Sequence, residues 1–567
     1  MDRRESFERN LLALSAADPE LCRRLTGARP FRGRGRYQFL EARSGDPVPA
    51  LVDDRGTAHP LHSLVDPRRE AERLIAATTD APADAGFLVF YGLGGGYHLD
   101  AALKREDVYQ VLVIDYDIDG IAELLSSKEY VPLLKDPRFH LMVDSSPETL
   151  ERCLPHLYQP VLYGGIRALP LRTRTSLDQA RFTEAAEAVK RAIDAVSSDY
   201  SVQAAFGRRW FSNIIRNLFL AEGNAKALPP IRDAAICAAG PSLDAQIPLL
   251  IRRRSSRCIL ATDTSLPSLL AAGVEPDAVV SIDCQHISFQ HFMAGLPPHI
   301  PLFLDLASPP VVAARSPNPR FFSGAHPLTR YICRFWRSFP VVDTSGGNVT
   351  YAALSLAETL GARRIELYGA DFSYPRGITY ARGTYLYPSF ERRQNRLAPA
   401  ESLHSAFLYR SPSLTRRGTG ESWYYESRTL ERYRERLEEK ARALGTVAAI
   451  PGGGPPLNLS PEKTPPDRGL FRCFAAGAPA MTAAEFLRDY REKLAALPPF
   501  SRGISRTLGE LGEAERLTLT TLLPAGAAFK GRRPDLKAAA ALEEARSFCL
   551  EELRRVLAAC CTCGFFA

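Results

Sequence analysis

The chain has 567 residues, of which 45% are hydrophobic and 24% are charged, a composition typical of folded proteins with several domains. The net charge of +8 comes from many basic residues balanced by many acids, without a basic groove interleaved with aromatics, so we expect no nucleic-acid partner. No window approaches ~18 uninterrupted apolar residues, so we expect no membrane span. The mixed-charge N-terminus and an odd number of scattered cysteines favour a cytoplasmic protein.

Residues 1–175 carry the pattern of an N-terminal β/Rossmann-like domain. An apolar strand at 87–91 leads into the glycine turn 92–96, and the next strand ends on Asp115. An acid at this place can bind the ribose of a nucleotide or of S-adenosylmethionine. The glycines lack the dinucleotide spacing, so we favour a scaffold whose glycines only let helix and strand pack closely, with a ligand pocket as the alternative. Asp115 and Asp117 also resemble the metal-binding pair of nucleotide-sugar transferases, but a Rossmann strand end explains them equally well, and we predict no metal.

Residues 176–228 are predicted to form a helical connector, and residues 229–452 a second, central α/β domain. A buried strand at 234–239 precedes a turn made of Gly240, Pro241, Ser242 and Leu243. The glycine lets the backbone approach a ligand, and the serine hydroxyl is expected to cap the following helix. Later strands end on Asp263, followed by Thr264, and on Asp283.

The segment 343–371 contains a polar turn, a helix and a short buried strand. The turn presents hydroxyls, an amide and a flexible backbone, from Thr344, Ser345, Gly346 and Asn348. Free N–H groups and partial positive charge at a helix N-terminus suit an anion such as phosphate. The strand leads to Asp371 and Tyr374. Parallel strands bring such ends to one edge of a sheet, so we predict one pocket there.

Residues 453–567 begin with a turn-rich linker and continue with three helical runs, which predicts a helical C-terminal domain. The apolar faces of these helices fit either a core or a protein partner.

The central domain resembles the motility-associated factor (Maf) flagellin glycosyltransferases. The likeness rests on three segments, AAGPSL (238–243), ATDTSLPSLLAAGVEPDAVVSID (261–283) and GADFSYPRGITYARGTY (369–385). It extends over most of the chain, including the front domain and the helical tail. A remoter similarity is to bacterial lipo-oligosaccharide sialyltransferases, which share the GPSL turn, a T-S-G turn before a helix, and a G-x-D-F strand end followed by two tyrosines.

This resemblance implies a GT-A-like (sialyltransferase-like) Rossmann-type catalytic domain. It implies transfer of a nonulosonic acid, of the pseudaminic, legionaminic or sialic type, from its CMP ester to Ser or Thr of flagellin. No cofactor beyond this donor substrate is expected. The two turns at 240–243 and 344–346 would hold CMP, while Tyr374 and Tyr380 would bind the leaving phosphate, since phenol hydroxyls can stabilise its growing charge.

The chain departs from the sialyltransferase pattern at two positions. Ala239 and Asp263 stand where those enzymes have asparagine, so we expect the contacts to cytidine to differ. His404 is the only histidine placed comparably to their general base, and Asp371 is the alternative base.

Two other functions remain open from the sequence. One is a pyrophosphoryl transferase like the archaeal 6-hydroxymethylpterin diphosphokinases, which share the GPSL-type domain. That chemistry needs ATP and Mg²⁺, with Asp263 and Asp283 as ligands, but members of that family are much shorter than this chain. The other is a non-catalytic, flagellin-binding assembly factor with a degenerate nucleotide site.

Overall fold

The computed structural model describes residues 3–28, 35–79, 85–223, 230–411, 413–420, 422–459, 476–502 and 504–562. These residues form two compact units. Unit 1 takes the described residues within 1–207, 497–516 and 522–547, and unit 2 those within 208–496, 517–521 and 548–567. The C-terminal helices therefore contribute to both units.

Unit 1 contains a small antiparallel sheet and a parallel one. Its strands are β1 (Tyr37–Glu41), β2 (Pro47–Val52), β3 (Ala58–Pro60), β4 (Phe87–Tyr91), β5 (Gln110–Asp115), β6 (Phe139–Val143) and β7 (Ile166–Pro170). The parallel sheet has the order β6-β5-β4-β7, and every residue of β4 is buried. Burial on both faces is the rule for parallel strands covered by helices, and it explains why β4 reads as a continuous apolar run.

The first nine helices belong to unit 1. They are α1 (Arg3–Ala17), α2 (Pro19–Gly27), α3 (Pro67–Thr79), α4 (Tyr97–Leu103), α5 (Ile118–Ser127), α6 (Val131–Leu134), α7 (Pro147–Leu157), α8 (Pro160–Tyr163) and α9 (Arg172–Leu177). The region predicted as a helical connector is largely one helix of 42 residues, α10 (Gln179–Leu220).

Unit 2 is built on a seven-stranded, wholly parallel sheet. The strands of this unit are β8 (Asp233–Cys237), β9 (Cys258–Thr262), β10 (Ala278–Ser281), β11 (Leu302–Asp305), β12 (Pro319–Phe322), β13 (Arg364–Tyr368), β14 (Tyr374–Pro375), β15 (Thr415–Arg417), β16 (Tyr424–Glu426) and β17 (Val447–Ala449). The parallel sheet has the order β12-β11-β10-β9-β8-β13-β17, and a small antiparallel sheet has the order β14-β16-β15. The predicted α/β class with parallel sheets is confirmed.

The remaining helices follow in chain order. They are α11 (Leu243–Arg252), α12 (Leu266–Ala271), α13 (Pro310–Arg315), α14 (Pro327–Phe335), α15 (Val349–Thr359), α16 (Leu386–Arg393), α17 (Ala400–Leu408), α18 (Arg428–Leu444), α19 (Ala483–Ala496), α20 (Ile504–Glu510), α21 (Glu513–Thr520), α22 (Leu523–Arg532) and α23 (Ala538–Thr562). Within the described ranges, short 3₁₀ helices lie at Arg254–Ser256, His286–Phe292 and Phe500–Arg502. None of the helices in the described ranges is both long and apolar enough to cross a bilayer.

Helix α15 packs against the sheet of unit 2 and anchors its core. Its buried alanines, Ala352, Ala353 and Ala357, share an apolar cluster with Ile236 of β8 and Leu260 of β9. Small side chains allow a helix to lie close to a sheet, so the polar turn that precedes α15 is fixed at the edge where the strands end.

Candidate active site

The carboxyl ends of the parallel strands in unit 2 carry most of the polar residues that the sequence singles out. Gly240 and Ser242 follow β8, Asp263 follows β9, Asp283 lies just past β10, and Asp371 follows β13. The strand order reverses between β8 and β13, because the chain first builds outward to β12 and later adds β13 and β17 on the other side. Open α/β sheets bind their ligands at such a reversal.

A buried carboxylate joins the two loops that flank the reversal. Asp371 is 4% exposed and accepts hydrogen bonds from the Ser242 backbone N–H at 2.9 Å and from the Ser242 hydroxyl. The N–H of Gly453 donates to Ser242 Oγ at 2.8 Å. Both oxygens of Asp371 are thus engaged within the protein, which fits a positioning role better than that of a base.

The turn 240–243 differs from the prediction in one detail. Ser242 stands at the N-cap position of α11, but its side chain makes no capping hydrogen bond, because Asp371 and Gly453 engage the hydroxyl instead. Gly240 is required here, since a Cβ atom would overlap Asp371 Oδ2 and the carbonyl oxygen of Gly369. Pro241 is half-buried, and the buried Leu243 begins α11.

Two further carboxylates lie at the same edge. Asp263 is buried, and its Oδ1 accepts hydrogen bonds from the N–H of Thr264 at 2.7 Å and its hydroxyl at 3.1 Å. Its Oδ2 accepts the hydroxyl of Ser281 at 2.7 Å. Asp283 is only partly buried; burial raises its pKa, and the nearby negative charge of Asp263 raises it further. The structure therefore brings these two predicted residues within electrostatic range of each other.

The turn before α15 is held by its own side chains. Asn348 caps the helix, since its Oδ1 accepts the N–H of Tyr351 at 3.0 Å and its amide donates to the Gly346 carbonyl at 3.2 Å. A Cβ atom on Gly346 would overlap the Tyr351 ring. Thr344 is half-buried and Ser345 is exposed, so their hydroxyls are the groups of this turn that can reach a ligand.

Tyr374, Tyr380 and Tyr385 form what we call the tyrosine cluster, in which Tyr374, Tyr385 and the carboxylate of Asp263 lie within electrostatic range of Tyr380. Burial raises the pKa of the Tyr374 and Tyr380 phenols. The negative charges that Tyr385, Tyr374 and Asp263 carry when ionised raise the pKa of Tyr380 further. Both phenols therefore stay neutral at pH 7 and act as hydrogen-bond donors, the form that can stabilise charge on a departing phosphate.

Tyr433 connects this tyrosine cluster to the turn before α15. Its ring Cε1 lies 3.1 Å from the position that a Cβ atom would take on Gly347, and its charge also raises the pKa of Tyr380. The 240–243 turn is linked to the cluster through Gly453, whose Cβ position is 2.9 Å from Pro375, the neighbour of Tyr374. Pro375 thus lies against the loop that holds Ser242, and Tyr433 lies against the turn before α15 and within electrostatic range of Tyr380.

Sequence reasoning missed Asp305, the last residue of β11. It is 8% exposed, its Oδ1 accepts the N–H of Ala307 at 2.8 Å, and burial raises its pKa to about 6. A Cβ atom on Gly324 would overlap its Oδ2 and would lie 3.2 Å from Thr344 Oγ1. An acid that ends a short apolar strand, as Asp263 does, is the signal that could have identified it.

His404 lies in α17 among aromatic rings. Its ring centroid is 4.9 Å from that of Tyr387 and 4.8 Å from that of Phe390, and burial lowers its pKa. These contacts fit a packing role for the predicted base.

In unit 1, the acid predicted to bind a ribose instead binds other groups of the protein. Asp115 and Arg174 are both fully buried and form an ion pair at 2.9 Å, and Asp115 Oδ2 also accepts the N–H of Leu93 at 2.7 Å. The glycine turn is covered by His62, whose Nε2 accepts the N–H of Gly95 at 2.8 Å. The arrangement supports the scaffold interpretation of this domain.

Asp117, the other acid considered for a metal, is also paired. Its Oδ2 lies 2.7 Å from Arg36 Nη1.

Comparisons with known proteins give a family profile, several relatives and solved structures. The profile described as "6-hydroxymethylpterin diphosphokinase MptE-like" matches residues 212–377. An uncharacterized protein of Treponema pallidum (strain Nichols) is 35% identical over 154 residues, 26% of this chain and 54% of that protein. Another is 27% identical over 175 residues, 30% of this chain and 83% of that protein. The chain thus matches about half of the first relative's length.

The fold likeness extends much further than the sequence matches. A structure described as "Structure of MAf glycosyltransferase from Magnetospirillum magneticum AMB-1" superposes with a TM-score of 0.59 at 16% identity. The superposition covers 98% of this chain and 96% of that one. The predicted fold resemblance to a Maf glycosyltransferase is confirmed over almost the whole chain.

Proposed function

We propose that this chain is a cytoplasmic protein O-glycosyltransferase that moves a nonulosonic acid from its CMP ester to Ser or Thr residues of flagellin. The donor would be CMP-activated pseudaminic, legionaminic or sialic acid, and flagellin would be modified before export. The fold shared with a Maf glycosyltransferase supports this proposal, and the site at the strand ends of unit 2 gives it a chemistry.

One observation carries the proposal: two neutral, half-buried phenols, Tyr374 and Tyr380, lie in the segment that follows β13. In the proposed reaction the acceptor oxygen attacks the anomeric carbon through an oxocarbenium-like state. The bond from that carbon to the phosphate oxygen breaks, and CMP departs with the electron pair. The two phenol O–H groups donate to the phosphate as its charge grows, so the reaction needs no metal.

The remaining parts of the site bind the donor in this proposal. The 240–243 turn, held by Asp371, and the hydroxyls of Thr344 and Ser345 would contact CMP. Asp263 accepts hydrogen bonds from neighbouring hydroxyls, so its role would be to hold Thr264 towards the ligand.

The test is the intact mass of flagellin co-expressed with this protein in cells that make a CMP-nonulosonic acid. Wild type is expected to add whole sugar masses. The double variant Tyr374→Phe/Tyr380→Phe, which keeps the rings and removes both hydroxyls, is expected to add few or none. A matched control is Tyr409→Phe, because Tyr409 is exposed and its hydroxyl bonds Tyr425. Unchanged modification by the double variant would remove the role given to the phenols.

A second candidate is pyrophosphoryl transfer to a pterin, favoured by the family match over residues 212–377. It would use Mg-ATP, with Asp263 and Asp283 near the metal. Incubation with 6-hydroxymethylpterin and Mg-ATP, followed by mass spectrometry, tests it directly. A diphosphate ester of the pterin would favour this function over glycosyl transfer.

A further inference from the structure

His291 lies at the carboxyl edge of the sheet, in the 3₁₀ helix His286–Phe292 that follows β10. The side chain is 8% exposed. Its ring meets the ring of Tyr385 edge-on, with centroids 4.8 Å apart and planes at 88°. Tyr385 belongs to the tyrosine cluster, since its charge affects Tyr380. The imidazole therefore contacts a tyrosine that lies within electrostatic range of Tyr380, one of the proposed phosphate-binding phenols.

A carboxylate accompanies this histidine. Asp283, at the start of the same loop, is close enough that the charge of His291 lowers the pKa of its carboxyl. Asp263 and Tyr385 also interact electrostatically with Asp283, and Arg410 with Tyr385. An aspartate beside a histidine stabilises the imidazolium that forms when the ring takes up a proton.

One ring nitrogen of His291 is left unused by the protein. Among the described residues, its buried Nδ1 atom has no hydrogen-bond partner. Buried polar atoms in native proteins are almost always paired, and unpaired ones call for an explanation such as a catalytic role or a missing ligand. A substrate hydroxyl would supply the missing partner once the ring turns this nitrogen outward.

We infer that His291, oriented beside Asp283 and Tyr385, is the general base that deprotonates the acceptor hydroxyl; this inference rests on the proposed glycosyl transfer. The Ser or Thr oxygen of the acceptor forms the bond to the anomeric carbon, and its proton passes to Nδ1 of His291. The bond to the phosphate oxygen breaks at the same carbon, and CMP carries away the electron pair. The imidazolium later returns its proton to solvent.

This assignment replaces the two bases suggested by sequence. Asp371 is committed to Ser242 through both oxygens, and His404 is packed between the rings of Tyr387 and Phe390. His291 combines burial at the strand edge, a carboxylate neighbour and an unpaired nitrogen.

The experiment uses full-length protein, flagellin from the organism that encodes it, and three donors: CMP-N-acetylneuraminic, CMP-pseudaminic and CMP-legionaminic acid. Rates of CMP release and flagellin mass gain are compared for wild type, His291→Ala, His286→Gln and His404→Gln. His286 is the matched control, because it lies exposed in the same 3₁₀ helix. His291→Ala is expected to lose about 100-fold or more in rate, and added imidazole is expected to restore part of it. His286→Gln is expected to keep the wild-type rate.

Each remaining outcome decides a separate question. If wild type transfers no sugar from any donor, both the proposed glycosyl transfer and the assignment of His291 as its base are contradicted. If wild type is active and His291→Ala is equally active, the assignment of His291 as the base is wrong but the proposed glycosyl transfer stands. The same conclusion follows if His404→Gln is the only variant that loses activity. His291→Ala could also lose activity that imidazole does not restore and lose its thermal shift with CMP. That result shows a structural role for His291 and overturns its assignment as the base.

Discussion

Ser242 and Asp371, 129 residues apart in sequence, are joined by two hydrogen bonds to one buried carboxylate. This pair ties the loop after β8 to the loop after β13, at the place where the strand order reverses. The link fixes the 240–243 turn. The serine of this turn does not cap the following helix, so the turn is held by the distant Asp371 and not by a local capping bond.

Replacing Ser242 by alanine is expected to destabilise the protein. The change removes the hydroxyl that donates to Asp371 and leaves one carboxylate oxygen buried without its donor, which costs about 1–3 kcal/mol. Urea denaturation measures the loss. Ser256→Ala is the control, since Ser256 is exposed and its hydroxyl makes only exposed hydrogen bonds, donating to the Arg253 carbonyl and accepting from Arg257 Nη1. It is expected to change stability by less than about 0.5 kcal/mol. Equal effects of the two variants would contradict the role given to the pair.

Gly240→Ala is expected to damage both stability and nucleotide binding. The added methyl group would overlap Asp371 Oδ2 and the Gly369 carbonyl, so the two loops must move apart at a cost of about 1–3 kcal/mol. Thermal unfolding with and without CMP gives both quantities. The control is Gly509→Ala, which meets open space within helix α20 and is expected to be neutral or slightly stabilising. A Gly240→Ala variant that binds CMP like wild type would show that the turn tolerates displacement.

Asp305 predicts a specific pH dependence of stability. Its folded pKa of about 6 is above the ordinary value of 3.8, so the native state holds this proton more tightly than the unfolded chain. The contribution of Asp305 therefore favours folding at low pH and is lost as pH rises from about 4 to about 6, at a cost of up to about 3 kcal/mol. Asp305→Asn removes this titration.

The check compares urea unfolding of wild type and Asp305→Asn at pH 5 and pH 7.5. The free energy of unfolding of the variant minus that of wild type is expected to be larger at pH 7.5 than at pH 5, because only wild type must bury a charge at the higher pH. A difference that does not change with pH would show that Asp305 is not a buried, titrating carboxyl.

The ion pair in unit 1 makes a prediction about the front domain. Arg174→Met leaves Asp115 as an uncompensated buried charge and is expected to cost about 3–5 kcal/mol. The double variant Arg174→Met/Asp115→Asn is expected to be more stable than the single one, and urea denaturation compares them. A single variant as stable as wild type would indicate that water reaches Asp115, reopening a ligand role there.

The sequence predicts strand ends well in this protein. The runs before Asp263 and Asp283 are continuous and apolar, because these strands are buried on both faces, and each is followed by a polar turn. The helix at Val349–Thr359 and its polar turn follow from apolar spacing and from an asparagine that caps the helix. These features depend on local sequence, and so they were predictable.

Contacts between distant segments were not predictable in the same way. The capping role expected of Ser242 was wrong because Asp371, 129 residues away, competes for its hydroxyl. Arg174 lies 59 residues from the acid that it neutralises, so the glycine turn and Asp115 alone suggest a nucleotide site. His291 was not singled out from the sequence, because its contact with the distant Tyr385 is visible only in the structure.

The most direct test of the central claim is a pair of calorimetric titrations of the full-length protein. One uses CMP in buffer that contains EDTA, and the other uses Mg-ATP in buffer without EDTA. A site for a CMP ester made of the 240–243 turn, the turn before α15 and the two phenols predicts CMP binding without metal, weakened at least about tenfold in Tyr374→Phe/Tyr380→Phe. No heat with CMP, together with saturable binding of Mg-ATP, would contradict the account and favour pyrophosphoryl transfer.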